Sequence, residues 1–196
     1  MFINTTPESA AEGALAEWYQ SQRSSWGFVP DYAGCFSTRP DVAAAWANLN
    51  LTIRGGMDRR LFELVTIAAA RARRSTYCTV AHSLFLRDVC GDGGTVEALG
   101  LAPDGQTLSD RDAAVFAFAA KVARDASTIE ADDVDAVRGV GLTDAEIADV
   151  VLAVGARMFF TTVLDGLGAH LDPQTAAKFG PEALEAMVVG RPIGGG

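Results

Sequence analysis

Alanine-rich stretches with an apolar residue at every third or fourth position recur along the chain, and alternating Val, Ile and Thr runs bounded by turn residues are absent. A chain patterned in this way buries its apolar side only as helices, so the predicted fold is all-α, a helical bundle. With 196 residues and 49% hydrophobic content it is long enough for a proper core, and one domain over 1–196 is expected.

Local signals divide that domain. Thr5-Thr6-Pro7-Glu8 combines a cap, a first-turn proline and an acidic residue, predicting a helix over 6–23 that carries Trp18 and Tyr19. Trp26 to Pro30 reads as an aromatic connector, followed by a short helix and by another from about Pro40 to Gly55-Gly56. Asp58 and Ser75 are caps for two helices that fill 58–90, with Gly91 to Gly94 as a loop. A second half, 109–170, opens at Ser109 and contains a capping box, Thr143-Asp144-Ala145-Glu146, ahead of a long apolar helix closed by Gly166 and Gly168. The tail, 190–196, has little to bury and is expected to be loose. Sliding the chain by 86 residues sets Asp58 on Asp144, Glu63 on Asp149, Ala70 on Ala156 and Arg71 on Arg157, which suggests a duplicated helical hairpin. Leu164 and Gly168 then stand in the places of Cys78 and His82, so only the first copy carries chemistry.

Charge and cysteine usage narrow the partners. Twenty-five acidic residues against 16 basic ones give a net charge of −9, which repels phosphate backbones and anionic lipid, so neither nucleic acid nor membrane is expected as a partner. No leader and no uninterrupted apolar run of membrane-spanning length is evident. Cys35, Cys78 and Cys90 are odd in number and irregularly spaced, which fits a reducing compartment, and a cytoplasmic location is expected. The acidic stretch from Asp125 to Asp149 shows no ligand spacing, so no metal is predicted; Gly91-Asp92-Gly93-Gly94 lacks the strand and lysine of a phosphate loop, so no nucleotide cofactor is predicted either.

The chemistry concentrates in Glu63, Cys78 and His82. Fifteen residues of unbroken helix would hold Glu63 roughly 22 Å from Cys78, so cooperation requires the chain to turn back, and Arg71 to Ser75 is the place for it. On the returning helix Cys78 and His82, four apart, share a face with Cβ atoms roughly 6 Å apart. A thiolate is a nucleophile, an imidazole takes its proton, and a carboxylate fixes the imidazole's tautomer. Cys78 falls in the first turn after Ser75, where the helix dipole contributes at most ~2 kcal/mol, enough to bring a thiol only to about 7. Burial under Trp26, Phe28 or Tyr77 acts in the opposite sense. Six of the 14 arginines, Arg71 among them, lie between Arg54 and Arg74, where they hold an anionic substrate, pair with acidic surfaces, or form a solvated face. His170 reads as a helix-end or surface residue.

This pattern resembles the motif of the AhpD-like alkylhydroperoxidase and carboxymuconolactone decarboxylase superfamily: a glutamate, Cys-x-x-Cys, and a histidine four residues after the second cysteine. Glu63, Cys78 and His82 match it, while Ser75 stands where the first cysteine would be. With Tyr77-Cys78 and Ala81-His82, the serine form looks like the peroxidase-related branch. Gly27 to Tyr32, Arg39-Pro40, Met57 to Arg60 and Leu142 to Gly168 also look like family segments, so the likeness spans Trp26 to Leu171. It implies that Cys78 attacks a hydroperoxide while Glu63 and His82 relay its proton, with Ser75, Tyr77, Trp26, Phe28 and Arg71 as pocket or supporting residues. It also implies a homo-oligomer, commonly a trimer or hexamer, with a dimer as the smaller option. Ser75 removes the resolving thiol, and Cys90, roughly 18 Å along the same helix, lies beyond disulfide geometry. Cys35, a partner subunit's cysteine or an external thiol then has to act as reductant. The alternatives are a decarboxylase-like lyase or isomerase using His82 and Glu63 for proton transfer on a small organic acid, and a helical family member without catalysis.

Overall fold

The computed structural model describes residues 1–194, and among these the fold is all-helical: eleven α-helices with two short 3-10 turns and no strand. At its centre lies α4 (Arg59–Ala72), in which every residue from Leu61 to Ala70 is buried. An apolar surface on all sides of one helix demands neighbours on all sides. They are α5 (Thr76–Asp88), α7 (Asp110–Asp125) and the 24-residue α9 (Asp144–Leu167). Leu64, Val65 and Ile67 have no exposed surface, and each contributes roughly 1.5–3 kcal/mol through burial. A second, aromatic cluster joins α1 (Gly13–Trp26), α2 (Asp31–Gly34) and α3 (Pro40–Gly55) to α5 and α9 through Trp18, Tyr19, Tyr32, Phe36 and Phe160. The outer layer is α6 (Gly93–Leu101), α8 (Ala131–Gly139), α10 (Pro173–Ala176) and α11 (Pro181–Ala186).

The helical hairpin of α4 and α5 follows its local signals. The Asp58 carboxylate accepts from Leu61 N at 2.8 Å, and the turn closes with Ser75 N donating to the Ala70 carbonyl at 2.9 Å. Arg74 takes a left-handed backbone, φ 57°, which costs a side-chain-bearing residue on the order of 1 kcal/mol. The C-terminal strap holds it there: Arg74 Nε donates to the Val189 carbonyl at 3.1 Å, and Val189 N and Gly190 N both donate to Thr76 Oγ1, at 3.3 and 3.0 Å. Gly190 packs so closely on the turn that a Cβ there would lie 1.7 Å from the Arg74 carbonyl oxygen.

Several expectations are corrected. The first helix starts at Gly13, not residue 6, because Glu8 is taken by Arg23 (Nε–Oε1 2.8 Å) and Tyr19 OH donates to the Thr6 carbonyl at 2.8 Å, drawing the leading segment across α1. That helix also runs past Arg23 to Trp26, where Gly27, at φ 81°, ends it. Gly93 and Gly94 are not loop: they open α6, capped by the Asp92 carboxylate on Thr95 N at 3.0 Å. The hairpin does not recur at the 86-residue offset, since 159–161, opposite the Arg73–Ser75 turn, lie inside the unbroken α9. Gly166 is within that helix and Gly168 closes it.

The tail is anchored at Arg191, whose Nη2 donates to the Asp165 carbonyl at 2.9 Å and whose guanidinium lies over Phe2, 4.9 Å from the ring centre. A single arginine and Ile193, packed against the aromatic cluster, make this anchorage, which composition does not reveal; residues 195–196 of the expected loose tail lie outside the described residues. By length and composition alone α9 is apolar enough to cross a membrane, although Arg157 interrupts it and half of its most apolar stretch is buried against the rest of the fold.

Candidate active site

Folding α5 back along α4 brings Glu63 and His82 into contact at the junction of the two clusters. Glu63 has no exposed surface, and both its oxygens are engaged: His82 Nδ1 donates to Oε2 at 2.5 Å and Arg59 Nε donates to Oε1 at 2.6 Å. The carboxylate fixes the Nδ1–H tautomer and leaves Nε2 with its lone pair. Burial lowers His82 from its ordinary 6.5 to about 4; the Arg157 charge acts in the same sense, and Glu63 only partly offsets them. Burial alone would push Glu63 up, but His82 and Arg59 together hold it below the usual carboxylate value. At neutral pH the pair is a carboxylate and a neutral imidazole.

Cys78, in the first turn of α5, is 1% exposed and lines the same cleft of about 350 Å3 as Glu63 and His82. Its sulfur accepts from Arg157 Nη1 at 3.7 Å, with no hydrogen bond to His82. Burial pushes the thiol up, and the Arg157 charge opposes this without overcoming it. The depressed pKa that a reactive thiol was expected to show is therefore absent from the resting site, because the aromatic walls remove water faster than the helix terminus supplies charge.

The supporting residues divide. Trp26 and Tyr77 line the cleft; Trp26 Nε1 donates to Tyr32 OH at 3.2 Å, and the Tyr77 hydroxyl donates to Asp172. Ser75 is buried behind Cys78 in sequence, but its Oγ makes no hydrogen bond, so the residue occupies the cap position without capping. Phe28 does not reach the cleft: it lines a neighbouring hollow with Leu84 and Lys178 and meets the site only through Trp26, at 6.3 Å between ring centres. Arg71 points away, its Nη2 donating at 3.3 Å to the Ala186 carbonyl at the end of α11. His170 lies beyond α9, where its backbone N donates to Asp31 Oδ2 at 2.7 Å. All three cysteines are free; Cys35 is buried against Met1, its thiol pushed up by burial to about 12. Among the described residues no group of three or more His, Cys, Asp or Glu is arranged to hold a metal ion.

Arg157 was not singled out for the site from sequence, although it is the sole basic residue of α9, and a lone charge in an apolar helix is a signal. It is 3% exposed, its Nε is buried without a partner, and no carboxylate lies within 4 Å among the described residues. The rings of Trp46 and Phe160, 5.9 and 5.3 Å from its guanidinium carbon, supply cation–π attraction on the order of 2 kcal/mol, against a desolvation cost of several kcal/mol.

Residues 40–124 match the profile of the carboxymuconolactone decarboxylase family. No curated protein matches the chain significantly. Among solved structures, an alkylhydroperoxidase AhpD core, a peroxidase-related protein from Ralstonia eutropha JMP134, superposes with TM-score 0.78 at 20% identity, covering 89% of this chain and 93% of that one. A peroxidase-related protein from Silicibacter sp. TM1040 gives 0.72 at 19% identity, covering 89% and 91%. A cysteine-to-alanine variant of the debrominase Bmp8, in complex with 2,3,4-tribromopyrrole, gives 0.75 at 14% identity, covering 95% and 97%. The fold is thus that of AhpD-like helical proteins. Residues 40–124 are similar to the carboxymuconolactone decarboxylase family within a fold shared with AhpD-like proteins.

Proposed function

We propose that this protein is a peroxidase-like thiol oxidoreductase that reduces a hydroperoxide through Cys78 alone. The observation that carries this reading is a neutral His82, locked by Glu63 with Nε2 free, in the same cleft as the buried Cys78 sulfur and its Arg157 neighbour. As the peroxide enters, His82 takes the Cys78 proton and Arg157 steadies the forming thiolate. The sulfur attacks the terminal peroxide oxygen, the S–O bond forms as the O–O bond breaks, and the departing alkoxide takes the proton from His82. Cys78 is oxidised to the sulfenic acid and the peroxide is reduced to an alcohol. One external thiol then condenses with the sulfenic acid, releasing water, and a second cleaves the mixed disulfide, restoring Cys78 and leaving an external disulfide. A reducing, cytoplasmic compartment belongs to this reading, as does a homo-oligomer using exposed apolar side chains of α3 and α9 such as Leu49, Leu51 and Leu152.

The test is consumption of cumene hydroperoxide with excess dithiothreitol, with dimedone trapping of the sulfenic acid on Cys78. Cys78→Ser is expected to lose both signals, by on the order of 10³-fold or more in rate. A second reading, proton transfer on a small organic acid, is favoured by a neutral histidine on a buried carboxylate and by the decarboxylase family match. Turnover of such an acid that survives Cys78→Ser and disappears in His82→Gln would replace the first reading with this one. Absence of both activities in the unsubstituted protein would leave a non-catalytic helical protein.

A further inference from the structure

The charge inside the cleft is opposite to the charge of the molecule. Arg54, Arg59 and Arg157 line it against a single carboxylate, Glu63, in a chain whose formal net charge is −9. Arg59 is matched by Glu63; Arg54 and Arg157 have no carboxylate within 4 Å among the described residues. Arg157 is the deeper of the two, 3% exposed, with Nε buried and unpartnered and Nη1 on the sulfur. Because Cys78 rests as a thiol, the sulfur does not supply the missing negative charge. A low-dielectric hollow lined with one sign of charge draws in the opposite sign. The walls, Trp26, Trp46, Phe85 and Phe160, offer flat apolar faces, and about 350 Å3 suits a body of one or two rings or a short chain.

We propose that the cleft recognises a small organic carboxylate with an apolar body, its carboxylate held by Arg157 with Arg54 drawing it in from the mouth. This deepens the thiol reading by naming the class of substrate the site takes, an anionic hydroperoxide over its neutral ester. The forming thiolate and the substrate carboxylate then share Arg157, so the ligand's charge sits beside the reacting sulfur and fixes which end of the molecule approaches it.

Binding to the whole protein, with no peroxide present, separates this proposal from the reaction. Titrations of benzoate and of benzamide, which has the same ring and no charge, are followed by calorimetry and by tryptophan fluorescence. Benzoate is expected to bind about tenfold tighter or more, the ratio collapsing to near one in Arg157→Gln and returning in part in Arg157→Lys. Protection of Cys78 from iodoacetamide by benzoate and not by benzamide is expected in the unsubstituted protein, which keeps the test decisive if Arg157→Gln fails to fold. Equal affinities for the two probes, or a preference that survives Arg157→Gln, overturn the proposal. A protein that reduces cumene hydroperoxide yet ignores benzoate loses only this inference; one that binds benzoate through Arg157 and reduces no peroxide loses only the thiol reading.

Discussion

Arg60 and Arg157 are both withdrawn from open solvent, and the fold treats them in opposite ways. Arg60, with 34% of its side chain exposed, donates to Asp92 at 2.6 Å, to both oxygens of Asp112 at 2.9 and 2.8 Å, and to Thr95 at 3.1 Å, tying α4 to α6 and α7. Arg157, far more deeply buried, has a sulfur and two aromatic faces. One cluster closes its charge account within the chain; the other leaves a cation over. The contrast teaches where cohesion ends and chemistry begins: a matched buried charge holds helices together, and an unmatched one marks a surface shaped for something the chain does not contain.

The comparison breaks or sharpens under four measurements. His82, lowered from 6.5 to about 4, and Glu63, lowered from 4.5, each bind fewer protons folded than unfolded, so stability rises with pH through both windows. Acidifying from pH 6.5 to 4 is therefore expected to cost up to about 3 kcal/mol through His82, with further loss below as Glu63 protonates. Denaturant midpoints across that range should flatten in His82→Gln, and an unchanged slope there would remove the buried neutral imidazole from the account. Glu63→Gln is next: it frees the tautomer of His82 and should lower kcat/KM for cumene hydroperoxide by ~10²-fold. Arg60→Met strands two carboxylates and should cost about 2 kcal/mol, roughly 4–8 °C in Tm. Arg157→Met should stay within about 1 kcal/mol of the unsubstituted protein, since relief of desolvation offsets lost contacts. A melt as damaged as that of Arg60→Met would show that Arg157 is cohesive after all and erase the distinction.

What could be read in advance divides along the same line. The α4–α5 hairpin and the Glu63–His82 pair rest on local facts, an Asp58 cap, a polar turn and four-residue spacing, and these are written in contiguous residues. Neither the burial of Cys78 nor the position of Arg157 is local. Both depend on α1, α2 and α9 bringing Trp26, Tyr32 and Phe160 over the hairpin, each more than forty residues from Cys78 in sequence. The same limit explains Arg71, which has the right residue type and lies one residue before the end of the right helix, yet faces α11. It also explains the N-terminal segment, whose capping pattern was sound until Arg23 and Tyr19 captured its partners.

The meeting of Gly190 with Arg74 couples two ends of the molecule mechanically. The turn that leads into Cys78 is clamped from behind by Val189 and Gly190, with a clearance that admits no side chain. A pull on the strap at residues 189–190 is thus delivered to residues 74–76, with Cys78 two positions further along.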